Sequence, residues 1–543
     1  MDYKVKAAEK CSATYAAIPE EWRLSPECLS LLQQPVEKCR NNLFEPDFIQ
    51  SSGILSPKER EITENYEVSR LLGALAGGTL SAVEVTVAFS KRAAIAQQLI
   101  LFDQALERAR DLDALRSSGN LAGPLHGLPI SIKDSFQVKG TQATIGLVSY
   151  LDRVSDVNSV LVDVLLQLGA VLYLKTNVPQ TMMTADSHNN IFGRVLNPWN
   201  TMLTAGGSSG GEGALVGFRG SPLGVGTDVG GSIRIPSLCC GTYGFKPTAG
   251  RIPYGQQVGC SDPGLRMILA AAGPIANDID ALEIFVKAVV NARPALLDHT
   301  AIDVPWKEMK LATDHKLRLG LLAEDPLYPL HPPVQAALDK AVNILREHGH
   351  KIIEITPVEG HVADSAEVAW NLWGLDATAD EIVKAGGEPA VPSRLSLARD
   401  AAATNWSFVP DLSQLPALKK LSFLNIKRSE IAANWNRTWR VHNLDAVIGP
   451  PAQHTAVEHD NYGIPAYTVL LNLLDYPACV LPFSHASSST TPRSFEKKPG
   501  QAGPPYHPSV VEGAPCSIQI FTRKMCDEQC LAVAAIIDKA LNL

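Results

Sequence analysis

No run of 18 apolar residues occurs in this 543-residue chain, and its longest candidate, Val160 to Leu174, is interrupted by Asp163 and Gln167. A membrane span is therefore not expected. The opening residues, Met1-Asp-Tyr-Lys-Val-Lys, lack the apolar core of a secretory signal, which makes a cytoplasmic location the expectation. Basic blocks interleaved with aromatics are missing, and 48 Lys plus Arg against 56 Asp plus Glu leave a net charge of −8. A nucleic-acid partner is not expected. The ten cysteines show neither paired zinc spacing nor a dense disulfide framework, so reduced thiols and no metal are expected. Cys239-Cys240 reads as inert core in a packed strand or turn. Cys526 and Cys530 share a helix face without a nearby histidine, and His348-Gly-His350 fits a turn better than a metal site. No Gly-Lys-Ser/Thr is present, and Gly224-Val-Gly226-Thr-Asp-Val-Gly230 is one residue too long for a dinucleotide fingerprint. No cofactor is implied.

What is present is a large apolar fraction, 45% against 19% charged, enough for a sizeable core. Length alone favours several domains, but one grammar repeats along the chain. Ser81-Ala-Val-Glu84 is a capping box that opens a helix through Lys91. Leu161, Val164, Leu165 and Leu168 form a helical stripe, Gly169 ends it, and Ala170 to Leu174 continues as a buried strand. The pattern returns with Leu338, Ala341, Val342 and Leu345, the stop at Gly349 and the strand Lys351 to Ile355, and Leu282, Phe285, Val286 and Val289 mark a further helix. This alternation predicts an α/β fold, a large mixed β-sheet core sandwiched by α-helices. Residues 1–50 read as an N-terminal helical cap on one domain spanning 51–543, and 485–513 read as an exposed loop.

Between Ala205 and Gly250 glycine becomes dense enough to allow close backbone approach. Gly206-Gly-Ser208-Ser-Gly210 satisfies the Gly-x-Ser-x-Gly elbow of an α/β-hydrolase-like esterase, yet the polar, proline-broken Asn197-Pro-Trp-Asn-Thr-Met-Leu-Thr before it is not the buried strand an elbow needs. A different constellation fits. Pro222 to Asp228 reads as a strand reaching a turn, and Val229-Gly-Gly-Ser232 follows. Successive N–H groups of such a turn converge and can hold an oxyanion, with a hydroxyl placed to attack. Lys133, in Gly127-Leu-Pro-Ile-Ser-Ile-Lys133-Asp, and Ser208 supply a base and a proton relay.

These segments, Gly206-Gly-Ser-Ser-Gly-Gly-Glu-Gly-Ala-Leu, Gly226-Thr-Asp-Val-Gly-Gly-Ser-Ile-Arg and Gly244-Phe-Lys-Pro-Thr248, with Lys133 upstream, closely resemble the amidase signature family of the fungal acetamidase and fatty-acid-amide-hydrolase type. Weaker similarity runs from about residue 50 to the end and includes Asn472-Leu-Leu-Asp-Tyr-Pro477. The resemblance implies the amidase signature fold, with Ser232 as nucleophile, Ser208 as bridging serine, Lys133 as base, and oxyanion donors at Val229, Gly230, Gly231 and Ser232. It also implies a cis Gly207-Ser208 peptide. Met182, Met183 and Thr184 would line the substrate pocket.

Lys133 can accept a proton only as the free amine. Holding an amine of ordinary pKa ~10.4 neutral near pH ~8 requires about 3 to 4 kcal/mol, which burial can supply. Ile130 and Ile132 fit a lysine facing inward at a sheet edge, with Asp134 on the opposite face. Ser209, Asp228 and Arg234 fall behind the reacting groups, where Asp228 and Arg234 serve equally well as a structural ion pair. His126 and His188 read as loop residues. The expected activity is cleavage of a small-molecule carboxylic acid amide to an acid plus ammonia or an amine through an acyl-enzyme. Three alternatives stand beside it: an amidotransferase A-type subunit, the esterase elbow and an inactive binding scaffold. The oligomeric state is open, with a homodimer compatible.

Overall fold

The computed structural model describes residues 2–542 except 45–47, 97, 98, 101, 310, 313, 314, 493 and 496. Some of these excepted positions fall within the expected cap and the expected late loop. Among the described residues eleven strands form one mixed sheet in the order Leu99–Ile100, Val171–Thr176, Pro129–Lys133, Leu223–Asp228, Ala271–Ala276, Tyr243–Lys246, Ala478–His485, Pro515–Phe521, Ala446–Gly449, Arg318–Leu322 and Lys351–Ile355. Pro129–Lys133 runs parallel to both of its neighbours, and the strands that follow Leu223–Asp228 in this order are antiparallel as far as Ala446–Gly449. Every residue of Pro129–Lys133, Val171–Thr176, Leu223–Asp228, Ala271–Ala276 and Pro515–Phe521 is buried. Successive strand side chains point to opposite faces, so both faces of the sheet are covered.

The helix-to-strand grammar folds as its pattern dictates. Ser81 caps Ala82–Ile95 in a reciprocal capping box with Glu84. Val160–Gln167 stops before Gly169, at φ +91°, and feeds Val171–Thr176; Pro332–Glu347 stops before Gly349, at φ +83°, and feeds Lys351–Ile355. Within residues 2–50, the helix Tyr3–Ala16 packs Ala7 against Val148, Leu151 and Ile191, and Leu43 N–H donates to the Pro198 carbonyl at 2.9 Å.

Three local expectations need correction. Pro129–Lys133 is no edge strand: it lies between two partners, and Lys133 is inward-facing because it ends an interior strand. Cys239 and Cys240 lie in the buried helix Arg234–Cys240, which the glycine turn launches directly, so neither strand nor turn describes them. The 485–513 segment is more than an exposed loop, since Ala486, Tyr506 and Val511 are buried in a cluster with Cys239 and Cys240. Between the strands Lys351–Ile355 and Ala446–Gly449 the chain makes a long helical excursion, with helices Val362–Trp373, Thr378–Gly386, Pro392–Ala403 and Ala417–His442. Among the described residues no helix is long and apolar enough to cross a membrane.

Candidate active site

Lys133 is the last residue of its strand, directly opposite Thr176, while Ile132 pairs with Val225. Its side chain is wholly buried, and Nζ lies 2.7 Å from Ser208 Oγ and 2.8 Å from Thr227 Oγ1. Both partners are neutral hydroxyls. Burial therefore dominates and brings the amine down to about 7, with the Asp228 and Glu212 charges opposing it. Glu212, from the helix Gly210–Gly217, is itself buried between Ser131 Oγ at 2.5 Å and Thr176 Oγ1 at 2.7 Å. Burial pushes its carboxyl up to about 8. Asp134, the sequence neighbour, is committed elsewhere: it pairs with Lys175 at 3.0 Å and accepts the Thr144 and Ile145 N–H groups.

Ser208 is 2% exposed and follows a cis peptide from Gly207. Position 207 has to be glycine, because a Cβ there would stand 2.4 Å from the Thr184 carbonyl oxygen. Ser209 ties the surrounding pieces together. Its N–H donates to the Ser232 carbonyl at 3.1 Å, and its Oγ accepts the Thr227 N–H at 3.2 Å. The two glycine-rich motifs are thus joined through one serine, with the hydroxyl-bearing residues 208 and 232 on its two sides.

The turn 229–232 is braced from behind by Asp228. Its Oδ1 accepts the Gly231 N–H at 2.8 Å and its Oδ2 the Ile233 N–H at 3.2 Å, while Arg234 grips both oxygens at 3.0 and 3.1 Å. Burial alone would raise this carboxyl, but Arg234, Lys246 and Asn472 outweigh it and hold it well below the usual range. Gly231, at φ +126°, must likewise lack a Cβ, which would meet Thr468 Oγ1 at 2.3 Å. With the Gly231 N–H committed to Asp228, the turn's N–H groups without an acceptor among the described residues are those of Val229, Gly230 and Ser232. Arg234 and Asp228 are both completely buried, so the ion pair and the bracing of the turn are one arrangement.

Four residues absent from the sequence-level site complete this scaffold. Thr227 reaches Lys133 from the next strand. Thr468 Oγ1 donates to the Gly230 carbonyl at 2.7 Å, Asn472 donates to Asp228 Oδ1 at 2.8 Å, and Gln519 accepts from Arg234 at 3.0 Å. Alternation along Gly226-Thr-Asp was a usable signal for Thr227. The other three come from more than 230 residues downstream; Asn472 lay in the weakly similar segment Asn472 to Pro477 without a role attached, and Thr468 and Gln519 carried no signal. His126 is buried, its Nδ1 accepting the Ala122 N–H, and His188 sits beside Arg194.

Ser232, 9% exposed, opens into a cavity of about 820 Å³ that Gly207, Val229 and Gly230 also line. Met182, Met183 and Thr184 line the same cavity. The helical excursion supplies the rest of the wall, including Trp370, Trp373 and Trp406. A buried amine contacts the Ser208 hydroxyl, and the Ser232 hydroxyl stands with the open turn N–H groups beside a large cavity, a set of groups from which acyl transfer can be built.

Comparison with known proteins agrees with that chemistry. The family model described as Amidase matches residues 84–531. A protein named Amidase from Gibberella moniliformis is 36% identical, covering 98% of each chain, and an Acetamidase from Emericella nidulans is 35% identical, covering 99% of this chain and 98% of its own. Among solved structures, a fatty acid amide hydrolase superposes with a TM-score of 0.86 at 29% identity, covering 99% of this chain and 95% of that one. A bacterial aryl acylamidase of the amidase signature family, at 20% identity and TM-score 0.69, covers 88% of this chain and 96% of its own and shares the fold.

Proposed function

The chain belongs to the amidase family and is an amide-hydrolysing enzyme, and from that premise we propose that it cleaves its substrate through an acyl-enzyme on Ser232, with Ser208 as relay and Lys133 as base. The observation that carries this reading is the neutral-range, wholly buried Lys133 amine 2.7 Å from Ser208 Oγ.

Ser232 Oγ attacks the amide carbonyl carbon, its proton passing to Ser208 Oγ as the Ser208 proton passes to Lys133 Nζ. The carbonyl oxygen becomes an oxyanion held by the N–H groups of Val229, Gly230 and Ser232, while Gly231 keeps the turn in shape through Asp228. Collapse of the tetrahedral intermediate breaks the C–N bond. The new Lys133 ammonium returns its proton through Ser208 to the departing nitrogen, which leaves as ammonia or an amine. Water then attacks the acyl-enzyme, giving its proton to Lys133 by the same route, and Ser232 recovers a proton as the acid departs. Each half-reaction ends with Lys133 as the free amine.

Supporting the reading over an esterase elbow is the absence of any histidine among the hydrogen-bond partners of Ser208 or Lys133 within the described residues. A binding scaffold has no physical need of a desolvated amine, whose burial is costly without a task. The direct test is rapid quenching with an activated aryl ester or anilide, followed by peptide mass spectrometry. An acyl adduct on the peptide carrying Ser232, missing in Ser232→Ala, is the expected result. Turnover without any such adduct would contradict the acyl-enzyme.

A further inference from the structure

The cavity above Ser232 is far larger than a small amide requires. Its 820 Å³ falls within the roughly 300–1,000 Å³ of sites that engulf drug-sized ligands. Its wall is also chemically particular. Trp370 and Trp373 project from one face of the helix Val362–Trp373, at i and i+3, with ring centroids 6.2 Å apart in a T-shaped contact, and Trp406 stands 6.0 Å from Trp370. All three line the cavity.

These rings are held rather than loose. Trp406 Nε1 donates to Tyr328 Oη at 2.9 Å, and the segment that follows it is pinned by Glu367, whose carboxylate accepts the Phe408 and Val409 N–H groups at 2.8 and 3.0 Å. Trp373 reaches the reacting centre. A Cβ placed on Gly230 would lie 3.1 Å from its Cη2, so the indole edge rests on the turn that carries the oxyanion donors. Met182, Ile235 and Leu412 add apolar surface. Glu367 is consumed by the backbone. The remaining charges, among them the Arg394–Asp380 ion pair, come from segments further along the excursion.

Resting on the amide-hydrolase reading, we infer that the substrate is an amide of a bulky, uncharged, aromatic-bearing carboxylic acid, its aryl group bound among Trp370, Trp373 and Trp406. The nitrogen must face Ser208 to receive its proton, which leaves the acyl chain to run along the Gly230–Trp373 side. An aryl group there meets indole faces and edges at the spacings that aromatic pairs prefer, beyond what an alkyl chain of equal area gains. Among the three indoles an anionic acyl chain would lose its hydration with no charge from the rings to replace it; the cavity's cations, Arg394 and Lys420, belong to other segments of the wall, and Arg394 is already paired with Asp380.

The experiment is a kcat/KM series on the full-length enzyme with acetamide, hexanamide, phenylacetamide and 1-naphthylacetamide, repeated with Trp373→Leu, Trp370→Leu and the conservative Trp373→Phe. The aryl amides are expected to exceed acetamide by at least about 30-fold, the gain of burying one large apolar group, and to exceed hexanamide as well. Trp373→Leu is expected to cut the aryl-to-acetamide ratio about tenfold, mainly through KM, with Trp373→Phe recovering most of it. Should the leucine variants not fold, the wild-type series and Trp373→Phe still decide the matter. Acetamide or hexanamide handled as well as the aryl amides, with Ser232-dependent turnover intact, overturns the aryl assignment alone. No turnover of any amide, or turnover that persists in Ser232→Ala, overturns the acyl-enzyme reading and this inference with it.

Discussion

Two regions meet at Ser232 and are built on opposite principles. The segment 205–250 is dense in glycine and folds around backbone: Gly207 and Gly231 stand where a Cβ would collide with the Thr184 carbonyl and the Thr468 hydroxyl. The excursion 362–424 is side-chain architecture, in which helices and the coil between them present indoles and aliphatic groups to the cavity. One region fixes the positions of a few polar atoms, whereas the other fixes a shape. Chemistry tolerates little displacement, since a shift of about 1 Å can cost roughly 100-fold in rate. Shape can vary while the reaction stays the same, which is how one fold serves many substrates.

That contrast predicts that changes in the first region affect every amide, whereas changes in the second alter the ranking among amides. The largest effect belongs to Ser232→Ala, for which loss of roughly 10⁴-fold or more in kcat is expected on all substrates alike. Lys133→Ala follows, with a loss of about 10²- to 10⁴-fold, well beyond His126→Ala or His188→Ala in the same ammonia-release assay. A histidine variant that abolishes turnover while Lys133→Ala survives would favour the elbow. Asp228→Ala leaves Arg234 buried and unpaired, and a destabilisation of about 3 to 5 kcal/mol in urea unfolding is expected. In the second region Trp406→Phe removes one hydrogen bond to Tyr328, and a loss of about 1 kcal/mol is expected. Such a variant should reorder aryl substrates while the pH dependence stays where it was.

The same contrast explains what could be read in advance. Local rules were enough for the capping box at Ser81 and Glu84 and for the stops at Gly169 and Gly349, because each is fixed by residues within a few positions. Glycine density marked the segment around Ser208 and Ser232, and the strand grammar put Lys133 on an inward face. Which distant residues these segments would meet was not legible, although Asn472 opens a segment that resembles the family. Thr468, Asn472 and Gln519 reach Gly230, Asp228 and Arg234 across more than 230 residues, and a polar residue in a distant helix or strand looks the same whether or not it has such a partner. The tryptophan wall was equally silent, because Trp406 lies in the coil after the helix Pro392–Ala403 and meets the Trp370 and Trp373 face only once the excursion folds. Cys239-Cys240 misled for a related reason. An apolar run of that length suits strand or helix, and only the Asp228-braced turn determines that a helix begins at Arg234.

The most direct test of the account is the pH dependence of kcat/KM for the wild-type enzyme with a neutral amide. Burial lowers the Lys133 amine to about 7, and only its deprotonated form can accept the serine proton. The rate is therefore lost as pH falls through that value and kept above it. An ionisation near 7 is expected, with kcat/KM falling about tenfold per pH unit below it and no loss as pH rises through it. A profile that keeps climbing toward the ordinary lysine value of ~10.4, or one that falls as pH rises through 7, would show that a buried neutral amine is not the base.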